Sequence, residues 1–513
     1  MNLLISVEAF TGSPSIMHTT LLRLLSIAYL LIPNVLFSYG WFRQPYAILL
    51  VVGYCFLLGR EFIPHDSPKS YFKKREVLFL ALFALVWTFF SGAGGFSDQK
   101  SDFFAHNAKF YDLYKNPWPT YFPEIGRFAC YYFGYYLFPA FVAKLSGQLS
   151  PMVIYLWTAL GFFLGLSWVY LLINRRKWAL FALFWIRGLG FILYLFFRNT
   201  EWLSIPIYRP VINGLIQHSS YVPNQLIGTM ILTGMLLDAV FVRKRIATMA
   251  FPITLNFIWA IFPSITLTLL YAGLCGYHYI GKRNYKELWS WTSIPNFLLP
   301  ALLILPTLGY FLSANGSTIK GWIWSFDPPA DALLYYVLGL GLDLLLYYYI
   351  LQSLWERQRL LPVGFIKALF VLLVLLSTYR MGYHNDWFYR TQIPIFLILI
   401  IVLLRAFDTM LTHKSWPQSR LTLGVYALAV FMMILQMSSY VHQLKDNVLI
   451  KTLAPSLTTF KPMPYDRYPN VYQLMKDVYK DRGDAEQYLG NKGSFYEQHL
   501  AKTPINTKTC QSE

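Results

Sequence analysis

From Leu21 to Ser439 the chain alternates between apolar runs of about twenty residues and short polar connectors. An apolar run of that length crosses the hydrocarbon core of a bilayer as a helix. The pattern predicts about thirteen spans, near 20–38, 44–59, 77–90, 151–173, 178–197, 224–242, 246–261, 263–280, 291–312, 331–351, 363–378, 390–405 and 421–439. The stretch 246–280 is too long for one helix, and Pro263 predicts the break, because proline lacks the N–H that a helix interior needs.

The connectors fix the orientation. Those at 60–76, 174–177, 243–245, 281–290, 352–362 and 405–420 hold roughly 19 Lys and Arg in about 57 residues, against roughly 10 in about 116 residues for 91–150, 198–223, 313–330 and 379–390. Positive charge stays on the cytoplasmic side. The expectation is a multi-pass protein of the cell (inner) membrane, with a cytoplasmic N-terminus and an extracytoplasmic C-terminus. The apolar run Phe128–Val142 is then an interfacial or re-entrant helix, since a further span there would send Arg175, Arg176 and Lys177 outside. The predicted fold class is an all-α polytopic transmembrane bundle with a long first outer loop at 91–150. Residues 1–60 add helices before a core at 61–440, and 441–513 form a polar outer tail or small cap.

Composition narrows the classes further. The chain is 56% hydrophobic and 13% charged, where a soluble domain carries about 25% charged residues. A disordered chain and a disulfide scaffold are excluded, and an ordinary soluble enzyme is not expected. The net charge of +18 lies in the connectors and so reads as topology, not as a nucleic-acid footprint. The first apolar run, Leu21–Phe37, has no small-residue cleavage site and reads as a retained helix rather than a signal peptide. Cys55 and Cys275 fall inside apolar runs as packing residues. Cys130 and Cys510 share the outer side, which leaves a disulfide between them open.

The candidate chemistry gathers on the outer side. After the glycines at 92–95 come Asp98, Asp102, His106, Asn107 and Asp112. If the chain is helical from Asp102, then Asp102, His106 and Lys109 share one face. Such a group suits a bound cation or a carboxylate that accepts a proton from a hydroxyl; it also suits a plain helix N-terminus, where the dipole favours Asp. A second group, at 198–225, holds Arg209 and His218. A third holds Arg380, His384, Asn385, Asp386 and Arg390. Guanidinium groups at a membrane surface suit phosphate, which they bind bidentately, or anchor the interface beside Trp and Tyr. Arg187 and Asp343 lie deep in apolar runs and are expected to pair. Arg23 and Lys367 sit near span ends and can snorkel. There is no phosphate-cradling Gly loop, no HExxH, no Gly-x-Ser-x-Gly and no zinc-ligand spacing.

Two stretches resemble the GT-C-fold membrane glycosyltransferases: Gly95-Phe-Ser-Asp98-Gln99-Lys-Ser-Asp102-Phe-Phe-Ala-His106-Asn107 through Asp112, followed by Trp118-Pro119, and Asn385-Asp386-Trp-Phe-Tyr-Arg390-Thr-Gln-Ile-Pro394. The resemblance implies transfer of a sugar from a polyprenyl-phosphate-linked donor to an extracytoplasmic glycan, lipid or protein acceptor. It makes Asp102 the base, with Asp98 and His106 beside it, and makes Asn107, Asp112, Arg209, His218, Arg380, His384, Asn385, Asp386 and Arg390 substrate contacts. In that family the loop acid is often written Asp-x-Asp, Asp-Glu or Glu-x-Asp, whereas here three residues separate Asp98 from Asp102. A divalent cation, Mg or Mn, on Asp98 and Asp102 therefore stays an open alternative. The competing expectations are a transporter or flippase of a lipid-linked saccharide, and another membrane transferase such as an O-antigen ligase-like enzyme.

Overall fold

A computed structural model describes residues 15–63, 70–188, 212–326, 336–358, 360–414, 416, 419–444, 466–480 and 484–504. The chain is mostly helical. Among the described residues the α-helices of six residues or more are α1 (Thr19–Trp41), α2 (Gln44–Glu61), α3 (Lys74–Ser91), α4 (Phe103–Lys115), α5 (Gly134–Ser146), α6 (Pro151–Leu172), α7 (Lys177–Trp185), α8 (Leu215–Tyr221), α9 (Pro223–Leu237), α10 (Ala250–Leu255), α11 (Ile261–Cys275), α12 (Leu299–Leu312), α13 (Leu342–Gln358), α14 (Val363–Ser377), α15 (Asp386–His413), α16 (Arg420–Leu444) and α17 (Val471–Val478). Three two-stranded antiparallel ribbons join connectors: β1 (Ser15–His18) with β2 (Tyr71–Lys73), β3 (Tyr121–Phe122) with β4 (Arg127–Phe128), and β5 (Lys320–Trp322) with β6 (Tyr379–Met381).

Among the described residues, seven helical segments are long and apolar enough to cross a membrane: Thr19–Trp41, Pro151–Leu172, Pro223–Val242, Ile294–Leu312, Val337–Leu354, Asp386–His413 and Arg420–Ser438. The expected spans 44–59 and 77–90 are the 18-residue helices α2 and α3, whose ends carry charge. At the core α6 packs against α3 and α9, and α15 packs against α9, α11 and α13. Gly161 and Gly165 let α6 approach its neighbours closely. A Cβ on Gly161 would lie 2.5 Å from the Tyr29 hydroxyl, and one on Gly165 would lie 2.8 Å from Met230 Sδ. Small residues at such crossings replace the hydrophobic drive that lipid does not supply.

Two sequence expectations need correction. The span at 246–261 is instead one short helix, α10, and the break falls at Asn256–Ala260, with Pro263 inside the first turn of α11. Proline is tolerated there because a first-turn N–H has no helical partner. The broken backbone is satisfied from α1 and α11: Asn34 Nδ2 donates to Leu255 O at 2.8 Å, and Asn256 Nδ2 donates to Ser264 Oγ at 2.9 Å. The fifth span does not carry a helix through Arg187. α7 ends at Trp185, and the chain runs extended through Arg187 to Gly188, whose N–H meets Ile212 O at 3.0 Å. A Cβ at Gly188 would lie 2.6 Å from Asp343 Oδ2, so only glycine passes this point. Arg187 and Asp343, both buried, do act on each other electrostatically. Cys130 is a free, buried thiol donating to Tyr310 O at 3.3 Å; Cys510, with which a disulfide was left open, lies outside the described residues. Burial pushes the Cys130 thiol up to about 12.

The connectors sort into two groups. The basic ones bind one another and nearby acids: Arg23 with Glu61 at 2.7 Å, Arg175 with Glu76 at 3.0 Å, Arg176 with Asp408 at 2.6 Å and Arg243 with Asp238 at 2.6 Å. Others, at Phe42, in 91–150 and at Ala314, meet the C-terminal segment. Val471, Tyr488, Leu489, Gly490 and Ala501 bond or bridge to Asp112, Cys130, Ala129, Ala314 and Phe42 respectively. α5, with 13 residues, belongs to this second group and is too short to span.

Candidate functional site

The segment between α3 and α4 is shaped by its glycines. Gly92 caps α3 in the left-handed region at φ 82°, where a side chain would meet the Asp98 carbonyl at 2.8 Å. The turn folds residues 96–102 back onto the bundle. Gln99 Nε2 donates to Gly92 O at 2.9 Å, and Asn107 Nδ2 donates to Gln99 Oε1 at 3.0 Å. This bracing sets Asp102 at the N-cap of α4, where the helix dipole favours a carboxylate.

A second wall comes from α8 and the residues flanking it. The third comes from the β6–α15 turn. Here Asn385, at φ 56°, caps α15 by accepting the Phe388 N–H at 3.4 Å. The first turn of α15 then presents Asp386, Tyr389 and Arg390 on one face, by the i, i+3, i+4 rule. Arg390 Nη1 pairs with Asp386 Oδ1 at 2.9 Å.

These three segments enclose a cavity of about 440 Å³. Asp102, His218, Tyr221, His384, Asp386 and Arg390 are in its lining, together with Ser101, Asn213, Gln217, Val222 and Tyr389. Asp102 acts electrostatically on Arg390 across it. His218 is buried, and its Nε2 has no hydrogen-bond partner among the described residues. Burial first, and Arg390 second, lower His218 to about 3, so the ring is neutral. A neutral imidazole can donate or accept but carries no charge.

Other expected residues lie elsewhere. His106 is buried between the Tyr136 hydroxyl at 2.6 Å from Nδ1 and the Tyr221 carbonyl at 2.7 Å from Nε2. A carbonyl only accepts, so Nε2 carries the proton and Nδ1 accepts from Tyr136. Burial and Lys109 hold this ring at about 3. With both nitrogens engaged, His106 positions α4 against α8 and does not face the cavity. Asn107 is likewise a brace. Asp112 is buried and accepts the Val471 N–H at 2.7 Å; burial raises its carboxyl to about 8. Arg380 is buried, donating to Tyr383 O at 3.0 Å with its guanidinium over the Phe326 ring. Asn385 is a helix cap, and Arg209 lies outside the described residues. Asp98 pairs with Lys100 at 3.2 Å. Among the described residues no three His, Cys, Asp or Glu side chains come together to hold a metal ion.

Sequence reading passed over the group behind Asp102. Lys109 is buried with its ammonium 3.8 Å from the Tyr131 ring centroid, 5.1 Å from Tyr136 and 5.2 Å from Tyr488. Burial lowers its pKa, Arg390 lowers it further, and Asp102 opposes them. A cation among ring faces is held by their quadrupoles. The tyrosines at 131, 132, 135 and 136 were the available signal, yet Tyr488 comes from the far end of the chain. Asn213, Gln217 and Tyr221, spaced by four, were the available signal for the α8 wall. No family model matches the chain, and no curated protein or solved structure matches it either.

Proposed function

We propose that the protein is an integral membrane glycosyltransferase of the GT-C type, moving a sugar from a polyprenyl-phosphate carrier to an extracytoplasmic acceptor at the cavity around Asp102 and Arg390. The observation that carries this reading is the convergence of a carboxylate, a guanidinium and a neutral imidazole from three separate segments on one cavity. In the proposed topology the basic connectors face the cytoplasm, and the cavity and C-terminal segment face outward.

The chemistry follows from the lining. Asp102 takes the proton of the acceptor hydroxyl as that oxygen bonds to the anomeric carbon, the role a carboxylate plays in inverting sugar chemistry. The bond from the anomeric carbon to the phosphate oxygen breaks, and its electron pair stays on the phosphate. Arg390 stabilises that charge by exchanging Asp386 for phosphate oxygens, which guanidinium binds bidentately. His218 hydrogen-bonds a sugar hydroxyl through Nε2, and Tyr221 and Tyr389 offer ring faces.

The test is transfer from a polyprenyl-phospho-sugar in membranes carrying Asp102→Asn. A general base is worth about 10²- to 10⁴-fold, so transfer falls by at least about 100-fold while the variant keeps its place in the membrane. Undiminished transfer removes Asp102 from the mechanism.

A further inference from the structure

The connector between α11 and α12 lies far from the cavity along the chain and belongs to the basic group. It runs from Lys282 to Ser293, between the wide helical turns Gly276–Gly281 and Ile294–Leu298 that extend the two helices. Trp289 is 90% exposed and Trp291 is 87% exposed. Below them an open groove of about 580 Å³ is walled by Leu288, Trp289, Trp291, Ile294, Phe297 and Leu298. Two indoles left this bare in water would be unfavourable, whereas the headgroup layer of a bilayer accommodates both their rings and their N–H groups.

The same connector carries Lys282, Arg283 and Lys286, all exposed. Arg60 adds a fourth cation at its foot, donating to Asn296 Oδ1 at 3.0 Å. The acids nearby are few. Glu61 is paired with Arg23 at 2.7 Å, and Glu287 lies 3.5 Å from His278. A carbon-lined groove next to unneutralised cations fits an amphiphile with an anionic head. A zwitterionic lipid would leave the cations without a counter-charge, and a soluble anion would leave the indoles and the groove uncovered.

We infer that this connector is a binding site for an anionic phospholipid, with the headgroup phosphate at Lys282, Arg283 and Lys286 and an acyl chain in the groove beneath Trp289 and Trp291. The site is independent of the cavity around Asp102.

Native mass spectrometry of the purified full-length protein, titrated with phosphatidylglycerol or phosphatidylcholine, tests it. The unmodified protein retains phosphatidylglycerol in preference. The triple variant Lys282→Gln, Arg283→Gln, Lys286→Gln loses that preference by about tenfold or more, since each cation at an anionic surface contributes severalfold. Trp289→Ala with Trp291→Ala lowers retention of both lipids. Raising salt to about 0.5 M erodes the preference of the unmodified protein, because screening shortens the reach of exposed charges; this arm needs no variant to fold. Equal retention of the two lipids by the unmodified protein overturns the inference. So does a preference that survives the triple substitution, which is also the result if the connector docks a protein instead.

Discussion

At the scale of single residues, the buried histidines His106 and His218 make different predictions. His106 joins the Tyr136 hydroxyl to the Tyr221 carbonyl. Replacing it with Ala strands two buried partners, each costing about 1–3 kcal/mol, so His106→Ala lowers the unfolding temperature in detergent. His218 Nε2 has no such partner to strand. His218→Ala therefore lowers the unfolding temperature less than His106→Ala does, while it lowers the proposed transfer and raises the apparent KM for donor. Asp112 gives a pH dependence. Its carboxyl is raised from 3.8 to about 8. In the unfolded chain it has already lost its proton across that interval, so stability from docking α17 is full below about pH 4 and declines as pH rises toward 8. Asp112→Asn keeps an acceptor for the Val471 N–H and cannot ionise. Limited proteolysis of the C-terminal segment from pH 5 to 9 should accelerate with pH in the unmodified protein and stay flat in the variant. In the sequence, Asp112, His106 and Asn107 look the same as Asp102: all are polar residues in one outer stretch. What separates the braces from the cavity wall is which neighbour each one meets, and those neighbours lie up to 359 positions away.

At the scale of elements, the packing of α6 sets a sharp limit. Gly165 has Met230 Sδ within 2.8 Å of where a Cβ would sit. Gly165→Leu must push α6 from α9, and overpacking of this kind costs about 1–3 kcal/mol. The expected result is a lower unfolding temperature and a smaller monodisperse fraction on size-exclusion chromatography, whereas Gly364→Leu in α14, with open space around it, is neutral. Hydropathy located most helices because a membrane imposes length and polarity directly on sequence. It failed at Asn256–Ala260 and at Arg187, where side chains from other helices replace backbone hydrogen bonds. No local periodicity records that Asn34 will reach Leu255 O.

At the scale of the whole molecule, the division of connectors into two groups is a statement about sidedness. Single cysteines at His384 or Lys492, placed in a background without the native cysteines, should react with a membrane-impermeant maleimide from outside intact cells. One at Lys286 should react only after the membrane is opened. The reverse pattern would put the Asp102 cavity on the cytosolic side and end the proposed donor chemistry. The charge contrast that makes this prediction was plain in the sequence; Asp102, His218, His384, Asp386 and Arg390, which share the cavity, were candidates there but not separable from His106, Asn107, Asp112 and Arg380. The Lys109 cage was not, because Tyr488 joins it from the far end of the chain.

That arrangement bears on how the protein comes into being. Tyr488 stacks on Tyr131, Val471 binds Asp112, and Ala501 bridges Phe42, so a segment more than 350 residues further along the chain completes a wall that Asp112 and Tyr131 begin. A premature stop codon just before Val471 would leave every helix for the bilayer intact and yet deliver an unfinished shell around Lys109.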